Sequence, residues 1–507
     1  AGRVVRLPVR LRRPQVHRNP GAAGDEARAL ARRGSVLVGS VKSGALVEVL
    51  ARGRWWDEAA ASLRAFVRGA VSRHVSPWDR TAGAIVTAIL IGDRTGLTPE
   101  AQRSLQEAGT YHVIAISGGN IAILAVVVLT LFRWTGVLGR GAMLCAIVLF
   151  LAYGFVVTGG GSVNRAVTVA VLTFAAQALD LRVGGGRALL LAAGLLVAVD
   201  PLALTDPGFL LSFGATGGIL ATAPLLRPSH RASGITRGAF PGRFRALVHE
   251  LVRSGLGMLL ASAAAEAALL PIVAFFFGRL TLAGLVLNFA AIPLMAVAQI
   301  AGTVVVPLAL VSRTLASIAG WTAAMSASGL LWSAALVEWM PLVVWRVARP
   351  AAWVIALYYA AVLLAWNCWR LRTFRLRGIG RVAGVLAAVA GLWIVLEPWA
   401  WLQQRGDGRL HVTFLDVGQG DAAFVRFPQG ATMLVDAGVA TGEGYDAGDR
   451  VVTPALLWLG VTRLGTQVIT HWDADHAGGS TAITSAPSAA SNCPARCPRS
   501  SVRSSTR

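Results

Sequence analysis

The residues best equipped for chemistry lie in one short run, His471-Trp472-Asp473-Ala474-Asp475-His476-Ala477-Gly478-Gly479. Two imidazoles and two carboxylates, those of His471, Asp473, Asp475 and His476, fall within six consecutive positions. Imidazole nitrogens and carboxylate oxygens together suit a divalent ion such as Zn²⁺ or Mn²⁺. Alternation at i and i+2 lets two of these groups face one metal. The adjacent Asp475 and His476 can then face a second metal or an attacking water. Two metals about 4 Å apart would clamp the oxygens of a phosphodiester and generate hydroxide. Gly478 and Gly479 let the backbone turn sharply beside such a site. The bland alternative is a surface loop that holds these residues by chance.

Two further acidic motifs precede this loop. Leu415-Asp416-Val417-Gly418-Gln419-Gly420-Asp421-Ala422 reads as a strand end, a glycine-rich turn and an acid. Leu434-Val435-Asp436-Ala437-Gly438 reads as a strand followed by an acid on the turn. Asp436 could orient a ligand histidine from behind, as carboxylates do in metal sites. Asp421 could do the same, or cap its turn. For either alone a structural role is at least as good a reading. The elements that must position them are strands at 411–415, 422–427, 432–435 and 467–470, with a helix at 451–459. That alternation predicts an α/β sandwich over 409–479. Residues 480–507 are rich in Ser, Ala, Pro and Arg and read as a disordered tail.

The rest of the chain is of another kind. Of 507 residues, 55% are hydrophobic and only 14% charged, with a mean hydropathy of +0.60. Soluble domains carry about 25% charged residues, so the composition predicts a membrane protein. A span needs about 20 apolar residues. The pattern gives ten, at 112–132, 141–157, 163–180, 187–204, 209–226, 251–277, 281–311, 314–340, 349–369 and 382–402. The run 281–311 contains Pro293 and Pro307, so it is one kinked helix or a broken pair. A polar loop at 227–250 and a basic loop at 370–381 separate some of them. The fold class is therefore mainly α, a polytopic transmembrane helix bundle over 111–403.

Arginine placement gives an orientation. Arg133 and Arg140, Arg182 and Arg187, the group from Arg227 to Arg245, and the group from Arg370 to Arg381 all fall on one side if the spans alternate. By the positive-inside rule that side is cytoplasmic. The N-terminal region and everything after residue 403 then lie outside the cytoplasm, on the far side of a plasma membrane. Ahead of the spans, 55–110 reads as surface helices. The first of them is amphipathic, with Trp55 and Trp56 at one end. It lies on the bilayer or packs as a soluble helix on residues 1–54, which read as part of a small β domain with a turn at Asn19-Pro20-Gly21. The N-terminus reads as lacking an upstream segment.

Polar groups inside the spans are the second set of candidates. His112, Ser117, Asn120, Asn164 and Arg165 sit at or near helix ends. Such groups are expensive in lipid unless they face partners or water. Glu266 and Asn288 interrupt apolar runs and should face the bundle interior. Gly118-Gly119 and Gly159-Gly160-Gly161 permit broken helices. Cys145 and Cys368 fall in apolar runs and read as core residues. Cys493 and Cys497 could pair or bind metal, a weak signal by spacing alone. The formal charge of +22 fits cytoplasmic arginines and a GC-rich genome, or a polyanionic ligand.

The loop at His471 and the phrases around Asp421 and Asp436 resemble the metallo-β-lactamase superfamily. The Val417-Gly418-Gln419-Gly420-Asp421 phrase is similar to the ComEC branch of competence proteins. So are Ile91-Gly92-Asp93-Arg94, Tyr111 through Asn120, Ser162 through Ala166, and Pro207 through Ala215. Asn19-Pro20-Gly21 and Ala31 through Gly34 resemble the end of that family's N-terminal OB-like domain. The resemblance implies an inner-membrane channel for uptake of single-stranded transforming DNA, acting with other competence proteins. It implies His471, Asp475 and His476 as ligands of Zn or Mn, and Asp473 as ligand or general base. Asp473 and Asp475 are then the candidate catalytic carboxylates of a nuclease outside the cytoplasm. Two departures stand. Gly119-Asn120 replaces the family's usual Leu-His, and no His or Asp follows Gly479, so the hydrolase domain reads as truncated. Alternative readings are a membrane-anchored metallo-hydrolase of another substrate, or a frameshifted remnant.

Overall fold

A computed structural model describes residues 2–14, 18–19, 30–31, 35–157, 161–223, 241–340, 343–371, 374–398, 405–441 and 445–484. The chain divides into two compact units. The first comprises Ala1–Pro14, Ala27–Val344 and Pro350–Val395. The second comprises Gln15–Glu26, Trp345–Arg349 and Leu396–Arg507.

The first unit is helical apart from short strands. β1 (Val4–Arg6) pairs antiparallel with β2 (Glu48–Ala51). β2 begins only at Glu48, because Ser43 caps a 3₁₀ turn over Gly44–Leu46. Four helices come next: α1 (Trp55–His74), α2 (Arg80–Ile91), α3 (Pro99–Glu107) and the single turn α4 (Tyr111–Ile114). Asp79 starts α2 by accepting from the backbone of Thr81 and Ala82 at 2.8 and 3.1 Å. Its other oxygen accepts from Ser328 at 2.7 Å. Gly92 stops the helix in the left-handed region, at φ 75°.

Ten helices then follow along the apolar runs: α5 (Gly118–Trp134), α6 (Gly139–Val156), α7 (Gly161–Ala178), α8 (Gly185–Val199), α9 (Pro207–Thr222), α10 (Pro241–Phe277), α11 (Ala283–Val311), α12 (Arg313–Ala335), α13 (Ala352–Leu371) and α14 (Phe374–Leu396). Five segments are long and apolar enough to cross a membrane: Gly139–Val156, Val252–Phe277, Ala283–Val311, Ala352–Leu371 and Leu376–Leu396. Large apolar side chains such as Leu190, Val199, Leu310, Trp332, Leu363 and Val382 stand exposed on these helices, as lipid-facing surfaces require.

Several boundaries differ from expectation. The first expected span is interrupted, since α4 ends at Ile114 and α5 begins at Gly118. The expected basic loop at 370–381 is helical from Phe374 onward. Arginine has good helix propensity, and its long stem can carry the charge away from the apolar helix. The run with Pro293 and Pro307 is one continuous helix, α11. The polar stretch 227–240 lies outside the described residues. Cys145 is exposed, while Cys368 is buried as expected. Cys493 and Cys497 lie outside the described residues.

The helical core joins α1, α2, α11 and α12 through Ala70, Val71, Ile85, Ile89, Ala298 and Ala323, among others. α1 therefore packs on helices of its own unit. Small residues let these helices approach closely. At Gly320 of α12 even a methyl group would overlap the carbonyl of His74 at the end of α1.

The second unit holds a four-stranded sheet. Its strands are β3 (His411–Phe414), β4 (Ala423–Arg426), β5 (Thr432–Val435) and β6 (Thr466–Val468), in the order β6-β5-β4-β3. β6 runs parallel to β5, and the other pairs are antiparallel. α15 (Thr453–Trp458) covers it, with Leu415, Phe424, Leu434, Val452, Leu456 and Ile483 in the shared core. Ser480–Thr484, read as the start of a disordered tail, is helical and buries Ile483. Residues 485–507 lie outside the described residues.

Candidate functional site

The three acidic motifs of the second unit meet at one end of its sheet. Asp436 follows β5 with a left-handed backbone, φ 56°, and is buried. Its N–H donates to the Val468 carbonyl at 2.9 Å, which holds it beside β6. The Ala437 N–H donates to the His476 carbonyl at 2.9 Å, and the Gly438 N–H to the Asp421 carbonyl at 3.0 Å. Gly420, at φ 96°, lies so close to the Asp475 carbonyl that a Cβ would overlap it. Only glycine meets both demands.

The Asp436 carboxylate is fully engaged. Oδ1 accepts from the Thr470 N–H at 2.8 Å. Oδ2 accepts from Thr470 Oγ1 at 2.7 Å and lies 2.9 Å from His476 Nδ1. Burial alone would push this carboxyl up, but the hydrogen bonds from Thr470 and His476 outweigh it and hold it below the usual range. The bond to Asp436 raises His476 in turn. With Nδ1–H committed to Asp436, His476 presents its Nε2 outward. His471 Nδ1 lies 3.0 Å from Thr470 Oγ1. That hydroxyl's proton goes to Asp436, so His471 Nδ1–H donates and its Nε2 is also left as an acceptor. The two rings stand 3.8 Å apart, centroid to centroid. His471 Nε2 is 3.5 Å from Asp473 Oδ2, and Asp473 is exposed. Asp475 is half-buried, in α16 (Ala474–Ala477).

These donor types suit Zn or Mn, and both tautomers favour coordination through Nε2. Among the described residues no group of three or more His, Cys, Asp or Glu side chains is gathered at one point. What the structure brings together here is an oriented imidazole pair.

The polar groups of the helical unit fall in two places. At the break before α5, Asn120 is buried, and its Oδ1 accepts from Ser117 Oγ at 2.8 Å and from the Ser117 N–H at 3.3 Å. Gln299 of α11 donates to the Asn120 carbonyl at 2.8 Å. Asn120 Nδ2 and Gln299 Oε1 are buried without a hydrogen-bond partner among the described residues. Near the start of α7, Arg165 is buried, 2.8 Å from Ser162 Oγ and 3.4 Å from Asp206. Asp206 in turn caps α9. Asn164 is exposed, and so is His112, whose Nδ1 lies 2.9 Å from the Gly109 carbonyl. Ile116 and Ile121 share an apolar cluster with Val163, Ala166 and Val167, so both places flank one core. The Gly92-Asp93-Arg94 element is a clasp: Asp93 pairs with Arg68 of α1 at 2.6 Å, and Arg94 reaches Tyr111 Oη at 3.2 Å.

Sequence reasoning missed Gln299, Thr470, Asp206 and the partner of Asn19. Gln299 had a signal, as a lone amide in an apolar run. Thr470 had none beyond its place before His471. Asn19 grips Asp416 through both backbone groups, donating to its carbonyl at 2.8 Å and accepting from its N–H at 2.7 Å.

Helices of spanning length with polar residues buried between them, joined in one chain to a small α/β unit, define a polytopic membrane protein. The chain belongs to the Competence protein family, whose profile matches residues 89–372. It is 23% identical to ComE operon protein 3 of Bacillus subtilis over 417 residues, covering 78% of this chain and 48% of the relative. It is 25% identical to competence protein ComA of Neisseria gonorrhoeae over 454 residues, 83% of this chain and 56% of that one. An uncharacterised Escherichia coli protein, YcaI, is 26% identical over 426 residues, 80% of this chain and 50% of the relative. The chain thus spans about half the length of the curated relatives it matches. No solved structure matches it.

Proposed function

We propose that the helical unit is a passage for single-stranded DNA across the inner membrane during natural competence, working with other competence proteins. The observation that carries this reading is the family match over 89–372, the stretch that contains the helix break at Ser117–Asn120. A polyanion in transit needs neutral or positive surroundings, and the net charge of +22 supplies them. In this reading all ten helices cross the bilayer. The arginine-rich ends are cytoplasmic, and residues 1–54 and those after 403 face outward.

The test is transformation in cells lacking their own family member. Complementation by this chain with labelled donor DNA is expected, and Asn120→Leu is expected to abolish DNA entry while leaving the protein in the membrane. Normal entry with Asn120→Leu would overturn the role of the helix break. Reporter fusions after His471 are expected to read as extracytoplasmic.

A second reading has one observation in its favour, the Asp436–His476 pair that orients an imidazole as metal sites do. In it the α/β unit is a metal-dependent phosphodiesterase. His471 and His476 would hold Zn or Mn, with Asp473 or Asp475 completing the set. Metal analysis of the purified chain decides it, and a content unchanged by His476→Ala would count against it.

A further inference from the structure

Glu266 is the only acidic residue in the segment Val252–Phe277. An ionisable group at such a position is expensive to keep, and in membranes it marks ion or proton sites. Its surroundings are specific. Gly284 of α11 lacks the side chain that would fill the space beside it. A Cβ there would stand 3.0 Å from Glu266 Oε1, 3.7 Å from Asn288 Nδ2 and 3.9 Å from the Gly109 carbonyl oxygen. Groups from α10, from α11 and from the turn before α4 therefore converge on one small space. Glu266 Oε2, Asn288 Oδ1 and Thr110 Oγ1 are buried without a hydrogen-bond partner among the described residues.

Counting donors and acceptors decides what the space needs. An ionised Glu266 brings two acceptor oxygens. Asn288 Oδ1 adds a third, against the Asn288 amide as donor, while the Gly109 carbonyl already faces His112 Nδ1 at 2.9 Å. A proton on Glu266 removes the charge and adds a donor to a space that Asn288, whose Oδ1 lacks one, also borders. The titratable and charged groups on the packed elements do not replace it. α11 carries none over its whole length. Arg279, on the strand after α10, lies 3.7 Å from Glu107. Tyr358 and Tyr359 of α13 donate to the carbonyls of Ala267 and Ala268, each at 2.8 Å. α9 has no titratable residue between Pro207 and Thr222, and Asp206 before it faces Arg165. Arg253 of α10 pairs with Glu250 at 3.1 Å, and Tyr111 of α4 with Arg94 at 3.2 Å. His112, next to Tyr111, has an exposed ring whose Nδ1 is turned to the same Gly109 carbonyl.

We propose that Glu266, with Asn288 and the Gly109 carbonyl, is a proton-binding site of the helical unit. Glu266 holds the proton as a neutral acid and exchanges it with water as the helices α10 and α11 shift against each other. Use of that exchange to drive DNA entry rests on the function proposed above, whereas proton binding rests on this geometry alone.

Two measurements on the full chain in lipid separate these claims. The first is infrared difference spectroscopy on a pH step. The wild type is expected to show the carbonyl band of a protonated carboxylic acid at neutral pH. Glu266→Gln, which keeps shape and volume, is expected to lose it, and Asn288→Ala is expected to shift it. Identical spectra for wild type and Glu266→Gln would overturn the site. The second is entry of a fluorescent single-stranded oligonucleotide into vesicles carrying the protein, with and without an imposed pH gradient. A severalfold acceleration by the gradient is expected in wild type and none in Glu266→Gln. An equal response in Glu266→Gln would overturn the coupling. If neither protein admits DNA, the DNA reading fails, and the infrared result still decides the proton site.

Discussion

Asp436 and Glu266 are both carboxylates packed inside their units, and they are treated in opposite ways. Both oxygens of Asp436 are engaged, by the Thr470 N–H and hydroxyl and by His476. Glu266 has a buried oxygen with no partner among the described residues. Asp436 is wired to one arrangement, and its neighbours are oriented by it. Glu266 sits where one more proton would complete the bonding, so its state can change without dismantling the structure. The same contrast runs through the glycines. In the α/β unit Gly420 lets two loops interlock. In the helical unit Gly320 lets two helices touch, and Gly284 leaves polar space.

The largest expected effect is in the α/β unit. Gly420→Val combines a left-handed backbone with overlap on the Asp475 carbonyl, and the backbone strain alone is of order 1–3 kcal/mol. Limited proteolysis of the full chain is expected to cut residues 411–479 readily while the helical unit resists. Equal resistance of both would break the comparison. Asp436→Ala strands the Thr470 N–H and His476, and is expected to destabilise the same unit by about 1–3 kcal/mol. Gly320→Ala crowds the His74 carbonyl and is expected to cost the helical unit about 1–3 kcal/mol, read as a lower unfolding temperature in detergent.

The pH dependence of the α/β unit sharpens the contrast further. Asp436 titrates below its ordinary range, so its contribution is present above the unfolded carboxyl value and lost as pH falls through the lower, folded one. His476 titrates above its ordinary range. Its contribution is complete below the unfolded imidazole value, about 6.5, and fades as pH rises through the higher, folded one. Protease resistance of this unit is therefore expected to peak between the two limbs. Asp436→Asn is expected to flatten both. The smallest effect belongs to Glu58, held at about 2 by Arg3 and the Gly53 N–H on an exposed surface. Glu58→Gln is expected to leave unfolding unchanged, because exposed pairs contribute little.

Much of this was legible in the residues. Ten apolar runs of spanning length each became a helix, because a run that long has few other ways to satisfy its backbone. The three motifs around Asp421, Asp436 and His471 announced a shared site, since strand ends followed by glycine and acid place side chains at one edge of a sheet. The partners were less legible. Thr470 is a threonine among many, and only the turn after β6 makes it a second clamp on Asp436. The break between Ile114 and Gly118 falls where Gly118-Gly119 marks a place for a helix to break, although hydropathy counts the run as one span.

The pairing of Asn19 with Asp416 joins residues 397 positions apart. At about 5–20 residues per second of synthesis, Asn19 leaves the ribosome roughly 20–80 s before its partner exists. Throughout that interval its amide must stay uncommitted while the whole helical unit is made. Completion of the α/β unit is thus a late event, clocked by translation, and a premature partner for Asn19 would leave the Asp416 N–H and carbonyl without these two bonds.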